Sequence, residues 1–311
     1  MEISLKTLLF VYNPKSGRGV IGAHLAEVIK AFETAGYIPT IYRTRTANDL
    51  PYIAEHFAPQ FDHVVCAGGD GTLNGLLNGI MKVDPDKRPT IGFIPTGSTN
   101  DTRNSYKLPL NIARAAGISV NGVPFETDMG KMNDRYFAYV ASFGELSAVS
   151  AFTPQAYKNV FGYGAYLTGG IKALLKMNSQ YVKVTYDGDK VVEGDFFLGM
   201  ATNATSVGGI AGITGNNVDL QDGMHELMLF KKPADILQFN EEVAAVLNPN
   251  SDAGGLVIRL KSDHMIFESE EQLQWVVDGE DAGRFNRAEI FNIKKAVRIM
   301  SGPNINAGKK S

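Results

Sequence analysis

Several features that define whole classes of proteins are scarce or missing in this sequence. Its 311 residues include a single cysteine, Cys66, so an internal disulfide framework is excluded. No apolar run approaches the roughly 20 residues that a membrane-spanning helix needs. Its five histidines are scattered without the spacing of metal ligands, which argues against a zinc site. The hydrophobic content of 44% is that of an ordinary folded protein.

An excess of basic residues is also missing. The formal net charge is −3, so nothing points to a nucleic-acid partner. The residues around Lys6 lead directly into a short strand pattern rather than a signal peptide, and we expect a cytoplasmic protein without a transmembrane segment. The nucleotide-binding P-loop, Gly-x-x-x-x-Gly-Lys-Ser/Thr, is absent as well, so any phosphate site must be built differently.

The stretch at residues 64–72 offers such a site. Its apolar run ends abruptly in Gly68-Gly69-Asp70-Gly71, and apolar residues then recur at helical spacing, which predicts a strand, a tight turn and a helix with Thr72 as its N-cap. Glycine has no Cβ, so this turn can bring backbone N–H groups and a helix N-terminus against an anion. Asp70 would repel phosphate unless a cation bridged them, which indicates Mg²⁺ shared with a nucleotide. The alternative is a glycine-rich turn with a solvated aspartate.

Two further strand-to-loop stretches, residues 11–19 and 91–101, break in the same way into Gly, Ser, Thr and Asn. In an open parallel sheet such loops all leave the carboxyl edge, where ligands bind. Three small polar loops at one edge favour a phosphate-binding site more than one loop does.

The motifs of these loops resemble those of a known family. They read Asn-Pro-Lys-Ser-Gly at residues 13–17, Gly-Gly-Asp-Gly-Thr-Leu-Asn at 68–74 and Pro-Thr-Gly-Ser-Thr-Asn-Asp at 95–101. In order and spacing they resemble the diacylglycerol kinase catalytic family and, more narrowly, its soluble bacterial lipid kinases. Gly-Gly-Asp-Gly alone is also similar to NAD kinases and phosphofructokinases, whereas the motif at 95–101 matches the lipid branch better.

The alternation of strand and helix patterns predicts an α/β, parallel-sheet nucleotide-binding domain over residues 1–123, with a helix at 110–116 closed by Gly117. Turn signals and short alternating segments then predict an antiparallel β-sandwich domain, the lipid-substrate domain, over residues 124–291. The resemblance implies that residues 292–311 return to the first domain. Strands are predicted at residues 136–142, 181–186, 196–202, 226–230, 256–260, 265–268, 273–278 and 296–300, and helical inserts at 165–177 and 233–247.

Phosphoryl transfer needs a cradle for the donor phosphates, a cation and a base for the acceptor hydroxyl. The cradle would consist of the amides of Gly68, Gly69 and Gly71 with the Thr72 hydroxyl. Short polar side chains are placed to contact phosphate or ribose, namely Asn13, Ser16, Thr44 and Ser98. Lys15 and Arg18 in the first loop either neutralise phosphate charge or are solvated loop cations.

The base has to come from elsewhere, and the predicted strand at residues 273–278 leads into Asp278-Gly279-Glu280. Composition alone favours an ordinary Asp-Gly turn. The resemblance implies instead that this is the family's catalytic pair, facing the glycine turn across a cleft. We favour Glu280 as the proton acceptor, with Asp278 orienting it, joining the cation shell or acting as the base itself. Asp70 would hold the catalytic Mg²⁺ through water.

The resemblance further implies a structural Mg²⁺ held by Asp222, with Asp219 and the Met224 carbonyl as partners. Gln221 stands where an acid is common, and residues 214–217 depart from the usual approach. A plain turn is the alternative.

An aromatic-rich stretch at residues 152–167 either lines a lipid tunnel or contacts a bilayer, or simply packs a core. We therefore expect an ATP- and Mg²⁺-dependent lipid kinase that converts diacylglycerol to phosphatidic acid, visits the membrane surface transiently and has a lipid partner. Alternatives are a kinase of another lipid alcohol or of NAD, and a catalytically silent nucleotide-binding regulator. Whether the chain forms a homodimer is left open.

Overall fold

The structure, a computed structural model, describes residues 6–46, 48–97, 100–144, 178–207, 210–211, 218–235, 238, 255–303 and 305. Several predictions fall outside these residues. They concern Ser98, the helical insert at 165–177, most of the insert at 233–247, and the aromatic stretch at 152–167.

Strands and helices alternate in the first part of the chain, as the sequence predicts. The elements are β1 (Lys6–Tyr12), α1 (Val20–Ala23), α2 (Leu25–Thr34), β2 (Tyr37–Arg43), α3 (Asp49–His56), β3 (His63–Gly68), α4 (Asp70–Ile80), β4 (Thr90–Pro95), α5 (Asp101–Ser105) and α6 (Ile112–Asn121). The four strands pair in parallel in the order β2-β1-β3-β4. The loops that follow them therefore all leave from one edge of the sheet.

Two predicted helix boundaries are wrong. Helix α4 begins at Asp70 with Gly69 as its N-cap, so Thr72 lies inside the first turn, and its N–H donates to the Gly69 carbonyl at 3.0 Å. Helix α6 runs through Gly117 to Asn121, because Gly117 does not take the positive φ of a helix-ending glycine and the buried Ser119 and Val120 follow it in the helix. The Asn111 side chain caps its N-terminus by accepting the Arg114 N–H at 2.9 Å.

The rest of the described chain is built from strands, several of them longer than predicted. They are β5 (Val123–Met132), β6 (Arg135–Phe137), β7 (Val140–Gly144), β8 (Gln180–Tyr186), β9 (Lys190–Thr202), β10 (Ser206–Val207), β11 (Ile210–Ala211), β12 (His225–Lys231), β13 (Val257–Ser262), β14 (His264–Val277) and β15 (Glu280–Ser301). The two strands predicted at 265–268 and 273–278 are one strand, β14, with a register shift between Glu268 and Leu273.

All these strands except β10 and β11 belong to one sheet, whose main path is β13-β12-β9-β7-β14-β15-β4-β3-β1-β2. Strand β15 makes the link, because it pairs with β14 along most of its length and reaches β4 in parallel at Ile299 and Ile91. Strands β7, β9, β8 and β14 pair in a ring, which encloses an apolar core around Trp275, Phe143 and Phe267. Because the sheet is continuous, the division into two domains at residue 123 stays a prediction.

Candidate active site

The loops at the carboxyl edge of the parallel strands open into a cavity of about 720 Å³. Its wall includes seven of the residues that the sequence singled out for phosphate binding and proton transfer: Asn13, Ser16, Thr44, Gly69, Gly71, Thr72 and Glu280. The first six come from the parallel-sheet part of the chain, whereas Glu280 begins strand β15. Residues more than 200 positions apart thus share one cavity.

Close backbone packing holds the loop after β1 against the loop after β4. Gly17 has a φ of 55°, and a Cβ on it would overlap the carbonyl oxygen of Thr96. The side chain of Asn13 is used within its own loop, where Oδ1 accepts the Lys15 N–H at 2.9 Å. Thr44 is similarly occupied, since its hydroxyl donates to the Tyr12 carbonyl at 3.3 Å. Asn13 and Thr44 therefore shape the wall of the cavity through bonds of their own.

The glycine turn places a helix N-terminus in this wall. Asp70 and Gly71 are the first two residues of α4 and precede its first hydrogen bond, so among the described residues their N–H groups have no backbone acceptor. Gly68 does not line the cavity. It is the last residue of β3, its carbonyl accepts the Thr96 N–H at 2.7 Å, and a Cβ on it would collide with the Thr72 side chain. Its smallness serves packing under the turn, while Gly69 and Gly71 face the cavity.

The Asp70 carboxylate is anchored at the start of helix α5. Its two oxygens accept the N–H groups of Asp101 at 3.0 Å and Thr102 at 3.1 Å. A carboxylate has about four lone-pair positions, so two remain for a further partner. Asp101 is itself buried and its Oδ1 accepts the Ser206 hydroxyl at 2.8 Å, which ties α5 to strand β10.

Asp278 is buried, and its environment differs from that of an exposed turn residue. It adopts the left-handed conformation, with φ of 47°, and forms with Gly279 the two-residue turn between β14 and β15. Its carboxylate accepts four hydrogen bonds, from the Asn74 side chain at 2.6 Å and from the N–H groups of Ala138, Tyr139 and Val140 at 2.7–3.0 Å. Burial raises the pKa of Asp278 to about 6, while these four donors favour the ionised form.

The same four hydrogen bonds explain why one predicted strand is two. Residues 136–142 were expected to form a single strand, but β6 ends at Phe137 and β7 starts at Val140. The N–H groups of Ala138 and Tyr139 turn toward the Asp278 carboxylate instead of a neighbouring strand. The chain thus wraps around the carboxylate.

Glu280 follows this turn and is exposed in the cavity. A Cβ on Gly71 would lie 3.1 Å from its Oε1, so the carboxylate stands directly over the glycine turn. Of the predicted pair, Glu280 is therefore the carboxylate that a ligand on the turn would meet, while Asp278 lies behind it.

Tyr139 is a residue of this site that sequence reasoning missed. It is buried, and a Cβ on Gly279 would be 3.6 Å from its hydroxyl oxygen. Burial first, and then the negative charges of Asp278, Asp70, Asp101 and Glu280, raise the pKa of Tyr139, so it remains a neutral phenol. No sequence pattern distinguishes Tyr139 from the apolar residues that flank it.

Comparison with known proteins agrees with this geometry. The diacylglycerol kinase catalytic domain matches residues 7–132. A diacylglycerol kinase of Bacillus subtilis is 33% identical over 298 residues, which cover 95% of this chain and 96% of the relative. The chain belongs to the diacylglycerol kinase family. A diacylglycerol kinase of Staphylococcus carnosus is 31% identical and covers 94% of both chains.

Solved structures show the fold of the diacylglycerol kinase family at lower identity. A crystal structure of a diacylglycerol kinase from Bacillus anthracis superposes with a TM-score of 0.76 at 22% identity, covering 97% of this chain and 99% of that one. An NAD kinase from Archaeoglobus fulgidus, in complex with ATP, gives a TM-score of 0.54 at 13% identity, covering 96% and 95%. The resemblance drawn from the three loop motifs is confirmed, and the chain is a member of a lipid kinase family.

Cationic side chains in the cavity were only partly foreseen. Lys15 lines it as expected, but so do Arg45 and Arg135, which no motif marked. Arg135 is held in place by donating from Nη1 to the carbonyl of Asp281 at 2.8 Å.

In the described part of the chain, no helix is both long enough and apolar enough to cross a bilayer.

The groups predicted to bind a structural Mg²⁺ are engaged with protein partners. Asp222 Oδ2 lies 2.6 Å from the Lys261 ammonium, and the Met224 carbonyl accepts a hydrogen bond from Asn292 at 3.1 Å. Asp219 Oδ1 accepts the Gln221 N–H at 3.1 Å. Within the described ranges, no group of three or more His, Cys, Asp or Glu side chains is arranged to hold a metal ion. The second metal site at these residues therefore stays a prediction.

Proposed function

We propose that the protein transfers the γ-phosphoryl group of ATP to the hydroxyl of diacylglycerol, giving phosphatidic acid and ADP. The observation that carries this proposal is the position of the Glu280 carboxylate over the glycine turn, within the cavity formed by the strand-end loops. Family relatives named diacylglycerol kinase support the choice of acceptor.

The cavity suits a polyphosphate next to an alcohol. The N–H groups at the start of α4 and the side chain of Lys15 supply positive charge for the donor phosphates. As the hydroxyl oxygen bonds to the γ-phosphorus, the bond from that phosphorus to the bridging oxygen of ADP breaks. Glu280 accepts the hydroxyl proton late in this step, because a neutral alcohol is far too weak an acid to ionise beforehand.

Asp278 acts in this proposal as a positioning residue. Its buried carboxylate is saturated by four donors and has no route to the substrate, so it fixes the turn from which Glu280 projects. Asn74 completes this support from helix α4.

In this proposal Asp70 is the carboxylate that would hold one Mg²⁺ ion together with the nucleotide. Asp70 keeps lone pairs beyond its two hydrogen bonds, and Asp101 and Glu280 add negative charge nearby. A magnesium ion bound to the triphosphate would neutralise charge on the phosphate oxygens, and Asp70 would hold it through water.

Diacylglycerol resides in bilayers, so the protein has to touch a membrane surface at least transiently. A homodimer stays a prediction.

Radiolabel transfer tests the proposal. The protein is incubated with γ-labelled ATP, Mg²⁺ and mixed micelles of diacylglycerol. Separate reactions contain ceramide or NAD as the acceptor instead. Labelled phosphatidic acid is expected. If only NADP or only ceramide phosphate is labelled, the substrate is NAD or ceramide and not diacylglycerol. If no acceptor is labelled, the proposed kinase activity is wrong and only nucleotide binding remains.

A matched pair of variants tests the base. Glu280→Gln is expected to lower kcat by a factor of about 10² to 10⁴, which is the usual contribution of a positioned base. Glu270→Gln changes an exposed carboxylate on strand β14 and should keep wild-type activity. Both variants should unfold at temperatures close to wild type. Full turnover by Glu280→Gln would rule out its role as proton acceptor.

A further inference from the structure

A lysine ammonium lies where family resemblance predicts a second cation. Lys261 is on strand β13, opposite Glu226 on the antiparallel strand β12. Its Nζ is 2.6 Å from Asp222 Oδ2 and 3.1 Å from Glu226 Oε1. Both distances are those of close, charge-assisted hydrogen bonds. One positive charge is thus shared by two carboxylates at the loop that precedes β12.

Other carboxylate oxygens at this loop accept backbone N–H donors. Asp222 Oδ1 accepts the Met224 N–H at 2.9 Å. The neighbouring Asp128 accepts the N–H groups of Gly223 at 2.6 Å and Lys295 at 2.7 Å. A hard divalent cation such as Ca²⁺ needs six to eight oxygen ligands, and Mg²⁺ needs an octahedron of them. A divalent ion at this loop would therefore have to displace the ammonium from Asp222 and Glu226.

The Lys261 ammonium faces carboxylates from two parts of the chain, Asp222 in the loop and Glu226 on β12. The side chain of Glu226 is only 13% exposed, so a missing positive charge would leave a largely buried carboxylate beside a second one.

We propose that the Lys261 ammonium is the resident cation of the loop at residues 219–224, and that this loop binds no divalent metal ion in the native protein. The loop is then stabilised by a charge carried on the chain itself and is independent of ion supply. This proposal concerns a loop outside the cavity and does not depend on the phosphoryl transfer proposed above.

Thermal unfolding without nucleotide, in EDTA and in about 10 mM CaCl₂, tests the proposal. Wild type should unfold at the same temperature in both. Lys261→Met should unfold at a lower temperature in EDTA and regain at least about 2 °C in calcium, because two facing carboxylates would then bind the ion. The control Lys183→Met removes an exposed lysine with one longer ion pair, 3.8 Å to Glu268, and should show no calcium response.

Two further variants separate the outcomes. The double variant Lys261→Met/Asp222→Asn should lose the calcium response, which shows that the ion occupies this loop. If Lys261→Met shows no calcium response, Lys261 does not occupy a cation position and the proposal is wrong. The native protein gives an independent test through equilibrium dialysis against ⁴⁵Ca²⁺, even if Lys261→Met does not fold. Equal binding by wild type and Asp222→Asn supports the proposal, and one ion bound by wild type alone overturns it.

Discussion

Asp278 and Glu280 are two residues apart but lie in opposite environments. The first is buried against four hydrogen-bond donors, and the second is exposed above the glycine turn. The turn between them explains the difference, because its left-handed residues reverse the chain within two positions. Composition alone favoured an ordinary turn here, whereas the family resemblance implied a catalytic pair, favoured Glu280 and left Asp278 with three alternative roles. The contacts of Asp278 come from residues 138–140 and from Asn74, which lie 138 to 204 positions away, so no local pattern could show them.

Gly71 is the residue at which activity and stability should respond in opposite directions. Gly71→Ala places a methyl group 3.1 Å from Glu280 Oε1, so the carboxylate has to shift, and we expect a lower kcat. Alanine is favoured over glycine in a helix by up to about 1 kcal/mol, so the free energy of unfolding should not fall. Steady-state kinetics and chemical denaturation measure the two effects.

Gly117→Ala is the control for Gly71→Ala. Gly117 lies inside α6, and the space beside it is open. This variant should gain a similar amount of stability and keep wild-type kcat. Equal kinetics in both alanine variants would show that the Glu280 carboxylate is not confined by Gly71.

His225 should make stability depend on pH. It is fully buried, neither ring nitrogen has a hydrogen-bond partner among the described residues, and burial lowers its pKa to about 3. The native state keeps it neutral while the unfolded chain takes up a proton below its ordinary pKa of about 6.5. The free energy of unfolding therefore falls as the pH drops below about 6.5, by about 1.4 kcal/mol at pH 5.5.

Denaturant unfolding at pH 7.5 and about pH 5.5 measures this loss in wild type and in His225→Leu, which has no titrating ring. Between these two pH values the unfolding free energy of wild type should fall by about 1.4 kcal/mol more than that of His225→Leu, because only wild type has to keep the buried ring neutral. His24→Gln changes an exposed histidine and should follow wild type. A wild-type-like pH dependence in His225→Leu would contradict the assignment.

At the scale of elements, helix α4 is fastened to the β6–β7 segment through side-chain amides. Asn74 donates to Asp278, and Asn78 donates to the Tyr136 carbonyl at 3.0 Å and accepts the Tyr136 N–H at 3.1 Å. The glycine turn precedes Asn74 by less than two helical turns. The position of the glycine turn relative to Glu280 is thus set by the hydrogen bonds that α4 makes to Asp278 and to Tyr136.

Asn74→Ala tests this fastening. Removing one donor from a buried carboxylate is expected to cost about 1.5–3 kcal/mol of unfolding free energy. A double-mutant cycle with Asp278→Asn should show an interaction energy of at least about 0.5 kcal/mol. Asn111→Ala, which removes the N-cap of α6, should combine additively with Asp278→Asn. Additivity of Asn74→Ala with Asp278→Asn would mean that their contact contributes nothing to stability.

The sequence located some elements well for physical reasons. Strands β1, β3 and β4 are largely buried, and continuous apolar runs mark them clearly. Strand β5 was missed, and β14 was divided at residues 269–272, where Ser, Glu and Gln look like a break although the strand continues to Val277. Pairing with β15 on either side of this segment overrides the local pattern.

For the whole molecule, the shared sheet and core predict that the chain unfolds as a unit. The core that packs against α4 contains Leu73 and Leu76 together with Val297 and Ile299 from β15. Arg88 also donates to the carbonyl of Ala296 at 2.7 Å. The core and the hydrogen bond therefore join the two sides of residue 123.

We expect one calorimetric transition, with a van't Hoff enthalpy equal to the calorimetric enthalpy. A fragment of residues 1–123 should fail to unfold cooperatively, because it lacks the β15 residues that pack in this core and pair with β4. Two separate transitions in the full chain would support independent domains and contradict this expectation. The domain boundary inferred from turn signals and short alternating segments cannot anticipate the outcome, since these local patterns do not report which strands share a core.

The buried carboxylate of Asp278 also bears on how substrates reach the cavity. The Asp278 carboxylate is hydrogen-bonded both to helix α4 and to the backbone between β6 and β7. These hydrogen bonds join the helix that begins at the glycine turn to the turn from which Glu280 projects. We therefore expect the glycine turn and Glu280 to keep their spacing when the cavity widens. The widening would come from other lining residues, which include the first loop and Arg45.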